Sequence, residues 1–230
     1  MKRFWLVLLG LSLAAGAQAQ EFKFLLGVGS STYTRQWVYD YWWDWSDYGS
    51  GINPFRNGKG SFMGGVGLLF RVREKVLIEV DGIYFSKGAL YEQEKVVLGP
   101  PDSYERIKRE YTMRGFAFPL LVKARLLPRP YPYFVAGLEV SLITAHSMGE
   151  FLQMDSIGPD YGQQEWLELR NETRPLDFGP VLGFGFDVDL PMGVLEFEAR
   201  YQLGIRNLYL EPAGYKVRTR SFTIFAEFRI

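Results

Sequence analysis

Residues 194–204, "VLEFEARYQLG", decide the fold because they alternate strictly between apolar and polar side chains. The apolar positions are Leu195, Phe197, Ala199, Tyr201 and Leu203, and the polar positions between them are Glu196, Glu198, Arg200 and Gln202. Successive side chains of a β-strand point to opposite faces, so this period of two predicts a strand with one apolar face. The last ten residues, "SFTIFAEFRI", repeat the pattern.

The same alternation recurs along the chain and predicts eight strands. They span about residues 20–30, 61–72, 75–86, 112–126, 132–145, 176–189, 194–204 and 219–230. Short connections rich in Pro, Gly or charge alternate with long connections at about 31–60, 87–111, 146–175 and 205–218. Short periplasmic turns and long outer loops are typical of bacterial outer-membrane barrels. We therefore predict an all-β fold: an eight-stranded antiparallel up-and-down transmembrane β-barrel with four long outer loops and short periplasmic turns.

The first residues, "MKRFWLVLLGLSLAAGAQAQ", are typical of a signal peptide. Lys2 and Arg3 precede a short apolar run, and Ala17-Gln18-Ala19 offers a cleavage site of small residues. The run is shorter than the roughly 20 residues that a membrane-spanning helix needs. We expect residues 1–19 to be removed on export and residues 20–230 to form one outer-membrane barrel domain, so that the protein resides in the bacterial outer membrane.

Composition narrows the function classes. The chain has no cysteine, which excludes disulfides and thiolate metal sites. Its 26 basic and 26 acidic residues balance, so no overall field favours nucleic acid. A single histidine, His146, offers little for catalysis or metal binding. We predict no catalytic residues, no metal ligands, no cofactor and no enzymatic activity.

The polar faces of the predicted strands carry charged residues, which we place inside the barrel. The apolar faces hold so many phenylalanines that they would overfill a small lumen, whereas the polar faces hold glycines that leave room for neighbours. A soluble barrel with a solvated charged face is the alternative. We expect a lumen charge network made of Lys23, Arg71, Glu79, Asp81, Lys123, Arg125, Glu139, Asp187, Glu196, Glu198, Arg200, Glu227 and Arg229.

The first long connection contains an unusual aromatic stretch, "WVYDYWWDWSDY", at residues 37–48. Its rings belong to Trp37, Tyr39, Tyr41, Trp42, Trp43, Trp45 and Tyr48. Large rings are common where one side is apolar and the other is wet. Three hypotheses follow: a cap on the barrel mouth, a surface that binds a protein or glycan partner, or a segment that dips into the outer leaflet.

Three segments resemble outer-membrane β-barrel proteins of the "porin family", including the PorT-like proteins, of Bacteroidota. They are "GGVGLLFRVREKVLIEVDGIYFSKGAL", "FAFPLLVKARLLPRPYPYFVAGLEVSL" and "DFGPVLGFGFDVDLPMGVLEFEARYQLGIRNL". The resemblance implies a membrane barrel that contacts outer-membrane lipid and lipopolysaccharide and is inserted by the barrel-assembly machinery. We expect a non-enzymatic structural or surface-interaction role, with a small solute pore or a PorT-type secretion-assembly component as alternatives.

Overall fold

The computed structural model describes residues 20–37, 57–97, 103–126, 131–154, 163–210 and 215–230. Its strands are β1 (Gln20–Trp37), β2 (Asn57–Arg73), β3 (Val76–Val97), β4 (Ser103–Arg125), β5 (Tyr131–Met154), β6 (Gln163–Glu168), β7 (Leu176–Leu190), β8 (Gly193–Leu203) and β9 (Tyr215–Arg229). One turn of 3-10 helix, Arg170–Glu172, lies between β6 and β7. Within these ranges, no helix is long and apolar enough to cross a bilayer.

Eight of the strands close into an antiparallel barrel. The hydrogen-bonded order is β4-β3-β2-β1-β9-β8-β7-β5, and β4 pairs with β5 to complete the ring. The remaining strand, β6, lies outside this ring. It pairs only with the C-terminal end of β5, from Ser147↔Glu168 to Leu152↔Gln163. The predicted eight-stranded up-and-down barrel is confirmed, and β6 is an addition within the third long connection.

The strands are longer than the sequence pattern predicts at the end that carries the long connections, called here the outer end. Strands β3 and β4 stay paired from Lys87↔Met113 up to Val97↔Ser103, within a stretch predicted as loop. Strand β5 likewise runs on to Met154. Above the bilayer the outward face no longer meets hydrocarbon, so the alternation fades although the backbone pairing continues.

The two faces of the barrel wall differ sharply in chemistry. Outward side chains are large and apolar, and Phe134, Leu138 and Phe184 are 58%, 64% and 63% exposed. Inward positions on the same strands include charged groups such as Lys23 and Glu79, which are fully buried. Rings that face hydrocarbon and ions that face the barrel axis are the arrangement of a membrane barrel.

A β-bulge near the outer end of β5 changes which residues face inward. Gly115 pairs with Ile143 and Arg114 pairs with Ala145, so Thr144 has no opposite residue. The bulged strand then continues with the opposite parity. As a result both Ile143 and His146 are buried inside the barrel.

Candidate functional site

The interior of the barrel contains a buried cluster of ionised side chains, called here the charge network. Its members are Lys23, Glu79, Asp81, Lys123, Glu196, Glu198, Arg200 and Glu227, none of them more than 5% exposed. They come from β1, β3, β4, β8 and β9, so the network joins strands on opposite sides of the barrel.

Lys123 lies at the centre of the charge network. Its Nζ is 2.7 Å from carboxylate oxygens of both Glu79 and Glu196, 2.8 Å from Glu198 and 3.3 Å from Glu227. One carboxylate oxygen from each of these four glutamates lies within 4.8 Å of the others, a grouping that could hold a metal ion. The ammonium group of Lys123 already supplies the positive charge that such a grouping requires.

Lys23 and Arg200 connect the remaining acids. The Nζ of Lys23 is 2.5 Å from Glu79 and 2.7 Å from Glu227. The guanidinium of Arg200 donates to Asp81 at 2.9 Å, to Glu227 at 2.8 Å and also to Glu198. A buried ion pair stabilises a fold little beyond an apolar core, but loss of one partner is costly. The network therefore fixes the register of the strands strongly.

A second set of charges lies towards the turn end of the barrel, where the short connections are. Arg229 contacts Asp187 at 3.4 Å, Glu196 at 3.2 Å and Glu21 at 2.9 Å. Arg125 donates to Asp187 at 3.0 Å.

Arg71 does not join the buried network, contrary to the expectation from the sequence. Its side chain is 49% exposed and contacts Glu21 at 3.3 Å. Arg71 still pairs with the buried Leu77, so it keeps the inward parity, but it lies at the turn end of the strand, where residues 71–75 are all exposed. Glu21, which is not among the predicted lumen charges, contacts both Arg71 and Arg229.

Glu139, the last of the predicted charges, lies apart from the network and nearer the outer end. It accepts a hydrogen bond from Ser141 at 2.8 Å, and Lys87 is 4.0 Å away. Lys87 donates to the side chain of Gln202 at 3.1 Å, which also accepts from Ser221 at 2.9 Å. Between this polar tier and the charge network lies an apolar layer that includes Leu25, Ile83, Phe85, Ala117 and Phe225.

The outer mouth of the barrel is filled by a second cluster, called here the mouth cluster: Tyr33, Tyr111, His146, Thr173 and Tyr209. The Tyr33 hydroxyl lies 3.1 Å from His146 Nε2, and His146 Nδ1 lies 2.7 Å from the Thr173 hydroxyl oxygen. The ring centroids of Tyr111 and Tyr209 are 6.2 and 6.0 Å from that of His146. The alternation of the sequence does not predict this cluster, because the bulge at Thr144 leaves no signal in it.

The hydrogen bonds assign the tautomer of His146. The Thr173 hydroxyl donates to the carbonyl oxygen of Leu169 at 2.7 Å, so its oxygen is left to accept from His146 Nδ1–H. Nε2 is then the acceptor for the Tyr33 hydroxyl, and the imidazole is neutral. The mouth cluster lies above the apolar band on the outside of the barrel, because the outward residues of β5 change from apolar to polar at Thr144, two positions before His146. Burial lowers the pKa of His146 to about 4 and raises that of Tyr33 well above its ordinary value.

We expect the mouth cluster to weaken as the pH falls from about 6.5 to about 4. The pKa of His146 in the folded protein lies below its ordinary value of 6.5. Between these two values the imidazole binds a proton when the cluster is unfolded but stays neutral when the cluster is folded. The stabilisation is complete above pH 6.5 and is lost as the pH falls through the window. Because His146 is the only histidine, ¹⁵N NMR of the detergent-solubilised protein reports this one imidazole. A titration midpoint near 6.5 would contradict the buried, neutral assignment.

The predicted aromatic loop cannot be placed in the same way. Of its rings, only Trp37 belongs to the described backbone, as the last residue of β1, and residues 38–56 lie outside the described residues.

Comparison with known proteins identifies a family and several distant folds. Residues 12–210 match the family described as "Outer membrane protein beta-barrel domain". No curated protein matches the chain. Neisserial surface protein A is 9% identical over 90% of this chain and 97% of its own, with a TM-score of 0.39. OprG from Pseudomonas aeruginosa is 12% identical over 94% and 98%, with a TM-score of 0.38. Ail of Yersinia pestis, solved with the heparin analogue sucrose octasulfate, is 11% identical over 91% and 99%, with a TM-score of 0.30.

Proposed function

Since the chain belongs to the outer membrane protein beta-barrel domain family, we propose that it acts at the cell surface as a non-enzymatic barrel that presents its outer strands and loops to a partner. Its interior then serves stability and does not conduct solutes. Residues 1–19 act as the export signal in this proposal. The narrower likeness to PorT-like proteins of Bacteroidota stays a prediction from the sequence.

The observation that carries the proposal is the filling of the barrel interior. The charge network brings buried side chains from opposite walls into direct contact across the axis, for example Lys123 on β4 with Glu227 on β9 at 3.3 Å. Nearer the outer end, the mouth cluster joins Tyr33 of β1 to His146 of β5 at 3.1 Å. An eight-stranded barrel has just enough interior space for its own side chains. These contacts across the axis support an interior that is closed to solutes.

The outer hairpins support a role above the membrane. On β3 the outward face changes from the exposed Tyr84 to Ser86, and the strand continues to Val97. At about 3.4 Å per residue, this leaves roughly 35 Å of paired strand beyond the apolar band. Paired backbone of this length gives a rigid support for binding loops, which is where surface proteins carry their contacts.

The aromatic stretch at residues 37–48 is our candidate for the partner surface. The mouth cluster already packs side chains from opposite walls at the outer end of the barrel, so a cap made from this loop would duplicate it. Stacking rings interleaved with Asp40, Asp44 and Asp47 suit a glycan or protein partner, because rings supply area and carboxylates accept hydrogen bonds.

The test has one arm for the interior and one for the surface. Purified protein in a planar lipid bilayer is expected to show no conductance steps above leak, with a general porin as the positive control. Regular steps from the unmodified protein would replace the proposal with the alternative of a small solute pore.

The surface arm uses the absence of cysteine in the chain. A Ser46→Cys variant, which keeps every ring of the aromatic stretch, is expected to react with a membrane-impermeant maleimide on intact cells. A matched Lys75→Cys variant, in the exposed turn between β2 and β3, is expected to react only after the outer membrane is permeabilised. Protection of Ser46→Cys on intact cells, or reversed labelling of the pair, would contradict the surface role.

A further inference from the structure

Three cationic side chains lie in a row on the outward face of β9, near the outer end of the barrel. Lys216, Arg218 and Arg220 occupy alternate positions of the strand "YKVRTRSFTIFAEFR" and therefore share one face. Lys216 and Arg220 are exposed and Arg218 is half-buried. A fourth cation, Arg206, lies in the segment after β8 that runs beside them, where Gly204 N donates to Thr219 O and Leu208 N donates to Val217 O. We call these four residues the basic face.

None of the four makes an ion pair with the described residues. The neighbouring positions on β1 are Thr34, opposite Arg218, and Thr32, opposite Arg220, so hydroxyls and not carboxylates lie beside the row. Arg206 donates only to a backbone oxygen, that of Leu176, at 3.4 Å. The buried Nε of Arg218 has no hydrogen-bond partner. Like charges on alternate residues of a strand are about 7 Å apart and repel one another. A bound anion would offset this repulsion.

The position of the basic face suggests the nature of that anion. The outward face of β9 continues directly below Arg220 with Phe222 and Ile224, which are 47% and 50% exposed. Ile205, beside the row, is 44% exposed. Cations and apolar side chains thus adjoin at one level of the barrel wall, where the hydrocarbon of the outer leaflet meets its headgroups.

We infer that the basic face binds the phosphate groups of an anionic glycolipid in the outer leaflet, with the acyl chains against Phe222 and Ile224. Arginine forks pair with phosphate oxygens through two parallel hydrogen bonds, and Lys216 adds a further charge. A soluble anion would use the cations but would leave the apolar side of the site unused. The inference rests on the outer-membrane location of the family and not on the surface partner or the closed interior.

The test measures lipid binding by native mass spectrometry of the intact barrel in neutral detergent. The probes are lipid A with both phosphates, the same lipid without phosphates, and inorganic phosphate. The variant Lys216→Gln/Arg220→Gln removes one exposed lysine and one exposed arginine from the basic face. The matched control Arg73→Gln/Lys75→Gln removes the same two charges from exposed positions at the β2–β3 turn.

We expect the bisphosphorylated lipid to bind the unmodified protein and the turn control equally. The basic-face variant should bind it roughly thirtyfold more weakly, as expected for two cations near an anionic headgroup. Equal binding of the lipid without phosphates, an equal loss in the control, or complete competition by inorganic phosphate would overturn the inference. Heat-modifiable migration checks that each variant is folded. If the double variant does not fold, Arg220→Gln alone is expected to weaken binding about fivefold. These outcomes are independent of the conductance and labelling results.

Discussion

Replacing Lys123 with methionine is expected to destabilise the folded barrel by about 3–5 kcal/mol, as loss of one partner in a buried ionic cluster does. Methionine has a similar length and is apolar, so the change removes the charge with little change in shape. Glu79, Glu196, Glu198 and Glu227 would then lose the one cation that contacts all four of them. Lys23 and Arg200 remain beside Glu79, Glu198 and Glu227, and Arg229 lies 3.2 Å from Glu196, but none of these cations contacts all four glutamates in the described residues.

The measurement is urea-induced unfolding in detergent micelles or thin bilayers, followed by tryptophan fluorescence and heat-modifiable migration. Lys75→Met is the matched control, because Lys75 is exposed in a turn and its replacement is expected to change stability by less than about 0.5 kcal/mol. If Lys123→Met is as stable as this control, the charge network does not depend on its central cation.

A second variant separates electrostatics from packing. Adding Glu198→Gln to Lys123→Met lowers the excess of negative charge by one with little change in volume, and the amide oxygen can still accept from Arg200. We expect the double variant to recover 1 kcal/mol or more relative to Lys123→Met, because the two sites are in direct contact at 2.8 Å and their effects are coupled. Strictly additive costs would mean that the loss in Lys123→Met comes from packing alone.

The sequence predicts the barrel because the membrane constrains both faces of every strand. Outward positions such as Phe184 meet hydrocarbon and inward positions such as Glu198 meet the axis, so a period of two is imposed wherever the strand crosses the bilayer. Above the membrane this constraint ends. The outer parts of β3 and β4, and all of β6, are strands that the alternation does not identify.

The sequence also predicts part of the candidate site, namely which charged residues face the interior. Face assignment alone brings Lys123 and its four glutamates to the interior, but it does not say which charges touch. It places Arg71 inside, although Arg71 lies at the exposed turn end of the barrel. It also misses His146, since one bulged residue, Thr144, reverses the parity of the strand. A bulge, and the point at which a strand end leaves the barrel interior, depend on pairing between strands, which a single segment does not reveal.

Replacing Gly67 with alanine is expected to cost about 1–3 kcal/mol, because it overfills the charge network. A Cβ at this position would lie 2.1 Å from Asp81 Oδ1 and 2.7 Å from Lys23 Cε. Both side chains would have to move, and Asp81 would lose its 2.9 Å contact with Arg200. The neighbouring Gly82 is the matched control, since it lies on the outward face of β3 and a Cβ there meets nothing within 4 Å. Gly82→Ala is expected to be neutral or to stabilise by up to about 1 kcal/mol.

The cause of the Gly67→Ala loss can be isolated with Asp81. If the added methyl acts by displacing this carboxylate, then Asp81→Ala should cost less in the Gly67→Ala background than in the unmodified protein, since the ion pair is already broken there. Unfolding midpoints of the four proteins in the same detergent give this coupling directly. Additive costs, or a Gly82→Ala loss equal to that of Gly67→Ala, would show that glycine at position 67 serves the backbone and not the packing of charges. A coupled loss would mean that the absence of a side chain at Gly67 leaves the space in which Lys23, Asp81 and Arg200 meet. The glycine and the charged residues of the inward face would then depend on one another.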